Sequence, residues 1–277
     1  MSESDPVRDH YASPNIAARV LAALRAAEGE DAPVTPGTLA PLDHFHRRGL
    51  AATRELAALL GPRPGERVLD IGCGIGGPAR WIAAHFGCHI TGIDLTSEFC
   101  RAAEELNAAT GMADRVRVVE GSALALPFGD AGFDRAYSHS VAMNVADKAG
   151  LYGEARRVLR PGGVLALSVI GSGPAGAPHL PAPWAAGPAS SFLSSPEETR
   201  RDLAAAGFEI VSFRDATAEA VAQQREYRRR LEREGLPALG WHVIMGAERS
   251  RTLQANAARS FEEGRLTEME VLARRPT

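Results

Sequence analysis

"VLDIGCGIGGPAR" (Val68–Arg80) decides the fold. An apolar run of strand character leads into glycines at 72, 74, 76 and 77, and then into residues that start a helix. Gly72, Gly74 and Gly77 satisfy the spacing G-x-G-x-x-G, which lets a backbone approach a nucleotide at a helix N-terminus. The spacing alone leaves open which nucleotide that is.

Outward from this stretch, strand and helix patterns alternate. Val68–Ile71 reads as a strand and Pro78–Phe86 as the helix after it. Cys88–Ile93 is a second strand, followed by a helix from Thr96 or Ser97 to about Thr110. Val116–Val119, Phe133–Ser138 and Val164–Ile170 are further strands, with a helix from an Asp147 cap to Leu159 before the last of them. Such alternation predicts an α/β chain with a doubly wound, mostly parallel sheet of the Rossmann-like kind. Gly171–Ser195 is too long for an ordinary connection and reads as a functional or mobile loop. Ser195 and Pro196 then open a helix stopped at Gly207, and Glu209–Phe213 alternates like a strand. Two helical stretches, Ala218–Glu234 and Ala247–Glu263, precede a last strand at Thr267–Ala273. The chain divides into an N-terminal helical cap (1–60), a nucleotide-binding core (61–214), a helical cap insertion (215–264) and a final core strand (265–277).

Composition bounds the function. A chain of 277 residues with 45% hydrophobic content buries a sizeable core. A net charge of −3 gives no basic field for nucleic acid or anionic membrane. No apolar run reaches the ~18–20 residues of a membrane span, and the polar first fifteen residues lack a signal-peptide core. Three cysteines argue against a disulfide framework. A cytoplasmic protein acting on a small molecule, monomer or homodimer, is expected.

Asp70 separates the nucleotides. It lies two residues before the first glycine, where a pyrophosphate would face a like charge. At ~5 Å in an intermediate dielectric each such pair costs on the order of a few kcal/mol. A ligand carrying an ammonium and a sulfonium is favoured there instead, and S-adenosylmethionine (SAM) has both. Asp94, 22 residues after Gly72, is placed to accept ribose hydroxyls and serves either ligand.

The residues now assembled resemble the class I SAM-dependent methyltransferases. The matching pieces are "VLDIGCGIGGPARWIA" (68–83), "GIDLT" (92–96), "DRVRVVEGSALALPFGDAGFDRAYS" (114–138) and "RRVLRPGGVLALS" (156–168). The ubiquinone-biosynthesis-like and sarcosine/dimethylglycine methyltransferase-like branches are closest, and "DHFHRRGLAATREL" (43–56) looks like the segment they place ahead of the first strand. The resemblance implies a seven-stranded sheet with its last strand antiparallel, SAM as cofactor and S-adenosylhomocysteine as product. It implies that Gly72 and Gly74 approach the methionine part of SAM, that Asp70 faces its ammonium and that Asp94 takes the ribose. It places Leu95 against the adenine, Ser122 and Ala123 at the adenine edge, and His139 to Asn144 at the transfer site. The family usually carries Asp where this chain has Ser122, a weaker neutral acceptor.

Methyl transfer requires a nucleophile held in line with the methyl carbon, and a base only where the nucleophile carries a proton. His139, Asn144 and His46 are the catalytic candidates. His139 is read as taking or relaying a proton, against the alternative of packing on the sheet end. Asn144 is read as orienting the acceptor, and His46 as closing over the cofactor. His44 and His46 form an H-x-H pair without a third ligand, so no metal is expected. Trp241, His242 and Met245 either line the acceptor pocket or form the core of the insertion. An amine is the favoured acceptor. Carbon or oxygen of a quinone, lipid or secondary metabolite, and an intramolecular reaction of SAM, are the alternatives. An NAD-dependent oxidoreductase and a non-catalytic SAM sensor stand further off.

Overall fold

The computed structural model describes residues 7, 10, 11, 13–44 and 46–277. Residues 1–6, 8, 9, 12 and Phe45 belong to the N-terminal cap read from the sequence and lie outside the described residues. Helices α1 (Ile16–Glu28), α2 (Pro36–Asp43) and α3 (Gly49–Leu60) precede strand β1 (Arg67–Ile71). Then come α4 (Gly77–Phe86), β2 (His89–Asp94), α5 (Ser97–Ala109), β3 (Val116–Glu120) and β4 (Phe133–His139). They are followed by α6 (Lys148–Val158), β5 (Leu159–Ser172), α7 (Pro196–Ala205) and β6 (Glu209–Asp215). The insertion holds α8 (Thr217–Glu234), α9 (His242–Met245) and α10 (Ala247–Glu262), and β7 (Leu266–Arg274) closes the sheet.

The sheet runs β3-β2-β1-β4-β5-β7-β6. Strands β1 to β5 pair in parallel, while β7 lies antiparallel between β5 and β6. The seven strands and the antiparallel last one match the expectation. Both faces are covered, as parallel strands require. Leu69 and Ile71 of β1 join Leu151 and Ala155 of α6 and Leu203 of α7, whereas Val68 joins Leu56 and Leu60 of α3 and Ile82 of α4. Strand order reverses between β1 and β4, so their C-terminal ends splay around a crevice, the usual ligand position in such sheets.

Three local readings change. Helix α2 is absent from the sequence pattern because eight residues with Pro41 inside them show no clear period. Thr35 starts it, with a capping box closed by Thr38. Strand β5 begins at Leu159 and includes "RPGG" (160–163), which the sequence pattern leaves between a helix ending at Leu159 and a strand starting at Val164. Gly162 and Gly163 exchange backbone bonds with Arg275, and the register against β4 shifts there. The helical turn α9 stands between the two insertion helices.

The cap docks on α4 through buried charge. Arg80, with no exposed surface, donates to Asp43 at 2.8 Å and to Asn107 at 2.9 Å. The Asp43 backbone and side chain lie so close to Gly77 that any side chain there would collide with them. Removing one partner of a buried pair leaves the other charge uncompensated, at a cost of roughly 3–5 kcal/mol. Arg80→Met is therefore expected to lose stability of that order in urea unfolding. A loss below about 1 kcal/mol, the scale of an exposed pair, would show that the pair is not the tether.

Candidate active site

The crevice opens into a cavity of about 1190 Å³. Single small-molecule pockets run to roughly 1,000 Å³, so the space admits two ligands side by side. One end is the glycine loop. Gly72 takes φ +78°, and a side chain there would strike Val141. Gly74 N–H donates to Asp94 at 2.8 Å, and Thr96 N–H donates to the other Asp94 oxygen at 2.9 Å. Asp94 thus ties the loop to the start of α5, with the Thr96 side chain and the Leu95 backbone also hydrogen-bonded to it. Asp70 is 2% exposed and accepts from the Tyr137 hydroxyl at 2.7 Å, its register partner on β4. Burial pushes the Asp70 carboxyl up to about 7, with the Tyr137 bond opposing and the Asp94 charge adding. Leu95, Ser122 and Ala123 also line this end. The Ser122 hydroxyl accepts from Leu124 N–H at 3.1 Å within its own loop.

The charges on the cavity wall are unevenly matched. Each of its arginines faces a carboxylate: Arg47 faces Glu268, Arg48 faces Glu55, Glu268 and Glu270, and Arg230 faces Glu234. Asp70 and Asp94 have no ion-pair partner among the described residues. The loop end therefore suits a cationic ligand, and the wall holds no spare cation for an anionic one. This observation fits SAM and counts against a pyrophosphate.

Beyond the loop three histidines meet. The His46 and His139 rings stack with centroids 3.5 Å apart and planes 21° apart. Thr53 Oγ1 lies 2.7 Å from His44 Nδ1 and 3.0 Å from His46 Nε2. His46 Nδ1 donates to the Arg47 carbonyl at 3.1 Å. His46, expected to close over the cofactor, has both ring nitrogens engaged within the cap. His139 is 9% exposed, and its Nδ1 is buried without a hydrogen-bond partner. Burial holds His139 far below the ordinary imidazole range, with His46, His44 and Arg48 adding to the effect. Burial also pushes His44 down to about 3, helped by Arg80, and His46 down to about 3, helped by His44.

Asn144, expected to orient the acceptor, lines the cavity and is also engaged within the protein. Its amide donates to the Trp184 carbonyl at 2.7 Å and the Ser190 carbonyl at 2.9 Å, and its oxygen accepts from Tyr11 at 3.3 Å. It clasps the N-terminal arm and the 171–195 loop to the end of β4. Tyr11 also lies 5.8 Å from the Phe99 ring, across the cofactor end. Lys148, the only lysine, sits beside this clasp. Its ammonium donates to the carbonyls of Ala142, Val145 and Phe192.

Two parts of the wall carry residues that the sequence does not single out, although the 171–195 loop is expected to be functional or mobile. The 171–195 loop supplies Trp184 and Phe192, and α8 presents Gln223, Tyr227 and Leu231 at helical spacing. That spacing is present in "QQREYRRRLERE" (223–234), where the many charges mask it. Trp241 and Met245 line the cavity as well. Ile244, between them, packs on α1 and α2, so the segment is part wall and part core.

The comparisons bear on this arrangement. A family model described as a methyltransferase domain matches residues 69–167. The chain carries a class I SAM-dependent methyltransferase domain. Its cofactor is S-adenosyl-L-methionine. The rice 24-methylenesterol C-methyltransferase 2 is 42% identical over 120 residues, which cover 43% of this chain and 33% of that protein. The chain thus spans about a third of the length of that curated relative. The crystal structure of the [4+2]-cyclase SpnF superposes with a TM-score of 0.65 at 26% identity, covering 82% of this chain and 81% of that one. Haemonchus contortus phosphoethanolamine N-methyltransferase 2, solved with SAM, superposes with a TM-score of 0.76 at 20% identity, covering 100% of this chain and 60% of that one. This last likeness is one of fold. No helix among the described residues is long and apolar enough to cross a membrane.

The histidine pKa values fix a sign. Unfolded, His44 binds a proton near pH 6.5; folded, it does so only near 3, so its contribution to stability is lost as pH falls below 6.5. Asp70, raised in the fold, works in the opposite direction, so wild type should be compared with a variant. His44→Asn keeps a donor toward Thr53 and removes the titration. Between pH 7.5 and 5.5, wild type is expected to lose about 1.4 kcal/mol relative to this variant in urea unfolding. Parallel pH curves would contradict the assignment.

Proposed function

We propose that this chain methylates an unsaturated carbon of an uncharged, largely apolar small molecule. The carrying observation is the charge pattern of the wall: free acids at the loop, matched arginines elsewhere. Asp70 and the Gly72–Gly74 loop would hold the amino-acid end of SAM, Asp94 its ribose, and Leu95, Ser122 and Ala123 its adenine. The bound cofactor supplies an electrophilic methyl group on a positively charged sulfur.

The acceptor chamber supports the carbon reading. Met143, Ile170, Trp184, Phe192, Trp241 and Met245 give it apolar surface. With its arginines matched, the chamber offers no seat for a phosphate. No carboxylate other than those at the loop and cap stands ready to bind an ammonium acceptor. His139 is a weak base because it is held neutral by burial. A weak base is poorly matched to a hydroxyl proton but sufficient for the acidic proton left beside a newly methylated unsaturated carbon. There the C–H bond breaks, its electron pair forms the new C=C bond, and the proton goes to a His139 nitrogen. The sterol C-methyltransferase relatives favour carbon in the same sense. This reading replaces the amine favoured from sequence.

Incubation with methyl-labelled SAM and a panel of unsaturated isoprenoids, sterols, amines and phosphorylated amines tests it. Label on an alkene carbon is expected; label on amines alone would overturn the carbon reading. SAM affinity should follow Asp70, whose acid form dominates below about pH 7. Calorimetry should show roughly five-fold tighter binding at pH 7 than at pH 6, and Asp70→Asn should flatten that difference. Asp94→Ala should lose most SAM affinity, and unchanged binding would remove it from the ribose role.

A further inference from the structure

Behind the His46–His139 stack lies a buried hydrogen-bond chain with no other evident task. Thr53, on α3, is fully buried, and so is His44. One hydroxyl serves two imidazole nitrogens, so it can donate to only one of them. The Arg47 carbonyl accepts only, which puts the proton of His46 on Nδ1 and leaves Nε2 bare. Thr53 must then donate to His46 Nε2, and its own oxygen accepts from His44 Nδ1–H. The order is set at the Arg47 carbonyl; at the other end Asp43 Oδ1 lies 3.6 Å from His44 Nε2, beyond hydrogen-bond distance, so it does not compete for the His44 proton. His46 is held by a bond at each nitrogen, and its ring face is the surface on which His139 rests. No hydrogen bond among the described residues competes for His139 Nδ1.

We infer that Thr53 is a positioning residue for His139. The Arg47 carbonyl selects the Nδ1–H tautomer of His46, and the Thr53 hydroxyl secures it as the single form by donating to the bare Nε2 and fixes the ring plane. That plane aligns His139 while leaving its Nδ1 available to a substrate proton. The inference rests on the methyltransferase reading for the role of His139, but the tautomer it requires exists without cofactor or acceptor.

The test uses full-length protein labelled with 15N-histidine, in wild-type, Thr53→Val and Thr53→Ser forms. Long-range 1H–15N spectra of the unliganded protein at pH 7.5 should show His46 protonated on Nδ1 in wild type. Thr53→Val should lose that single form and Thr53→Ser should regain it. With an acceptor in hand, Thr53→Val should lower kcat by about ten-fold or more through misalignment. The KM for SAM should stay within about two-fold and the serine should restore the rate, a split that a general loss of structure would not give. If the valine variant does not fold, Thr53→Ala takes its place in the same spectra. His46 protonated on Nε2 in wild type overturns the inference. So does a variant without the hydroxyl that keeps either the wild-type tautomer or the wild-type kcat. Failure of the functional reading is separate and visible: wild type would methylate nothing in the panel, while the spectra still decide the tautomer.

Discussion

The cavity exists because a negative end of the cap and a positive side chain of the core meet out of water. Asp43 closes α2 and Arg80 projects from the second turn of α4, the helix that follows the glycine loop. Their contact sets how far the cap stands from the sheet. Gly77 removes the side chain that would keep them apart. From that point the cap turns back through His44 to His46, so the histidine stack is placed by the same contact. Phe99 and Leu106 of α5 are buried together with α1 and α2, which extends the docking into an apolar seam.

Charge is then divided along the cavity. The loop end keeps two carboxylates without cations, and the far end keeps cations only where carboxylates already satisfy them. Burying unmatched charge is costly, so a ligand that brings positive charge to Asp70 and Asp94 relieves a strain that the folded protein carries. The arginines near Glu268 have no such need. They hold the cap against β7 and α8 and leave the acceptor end electrically quiet.

Much of this was legible in the residues. The alternation of strands and helices, the glycine spacing and the acid at Asp70 led to the sheet and to its cofactor, because each depends on neighbours close in sequence. Asn144 and His46 were legible as residues near the site, but their hydrogen-bond partners were not. Asn144 is spoken for by Trp184, Ser190 and Tyr11, partners up to 133 positions away. No local pattern carries such contacts. Thr53 gave no signal at all, since a threonine inside an apolar helix reads as filler until two imidazoles are seen on its hydroxyl. Helix α8 hides its wall residues for a simpler reason: its charged face is louder in the sequence than the stripe that lines the cavity.

The one lysine has a consequence for the molecules this chamber can hold. Lys148 lies off the cavity wall, and its ammonium is committed to three backbone carbonyls. No other side-chain primary amine exists in the chain. An aldehyde or ketone resting in the chamber therefore meets no side-chain amine with which to condense. Carbonyl-rich guests can enter and leave without being trapped as imines.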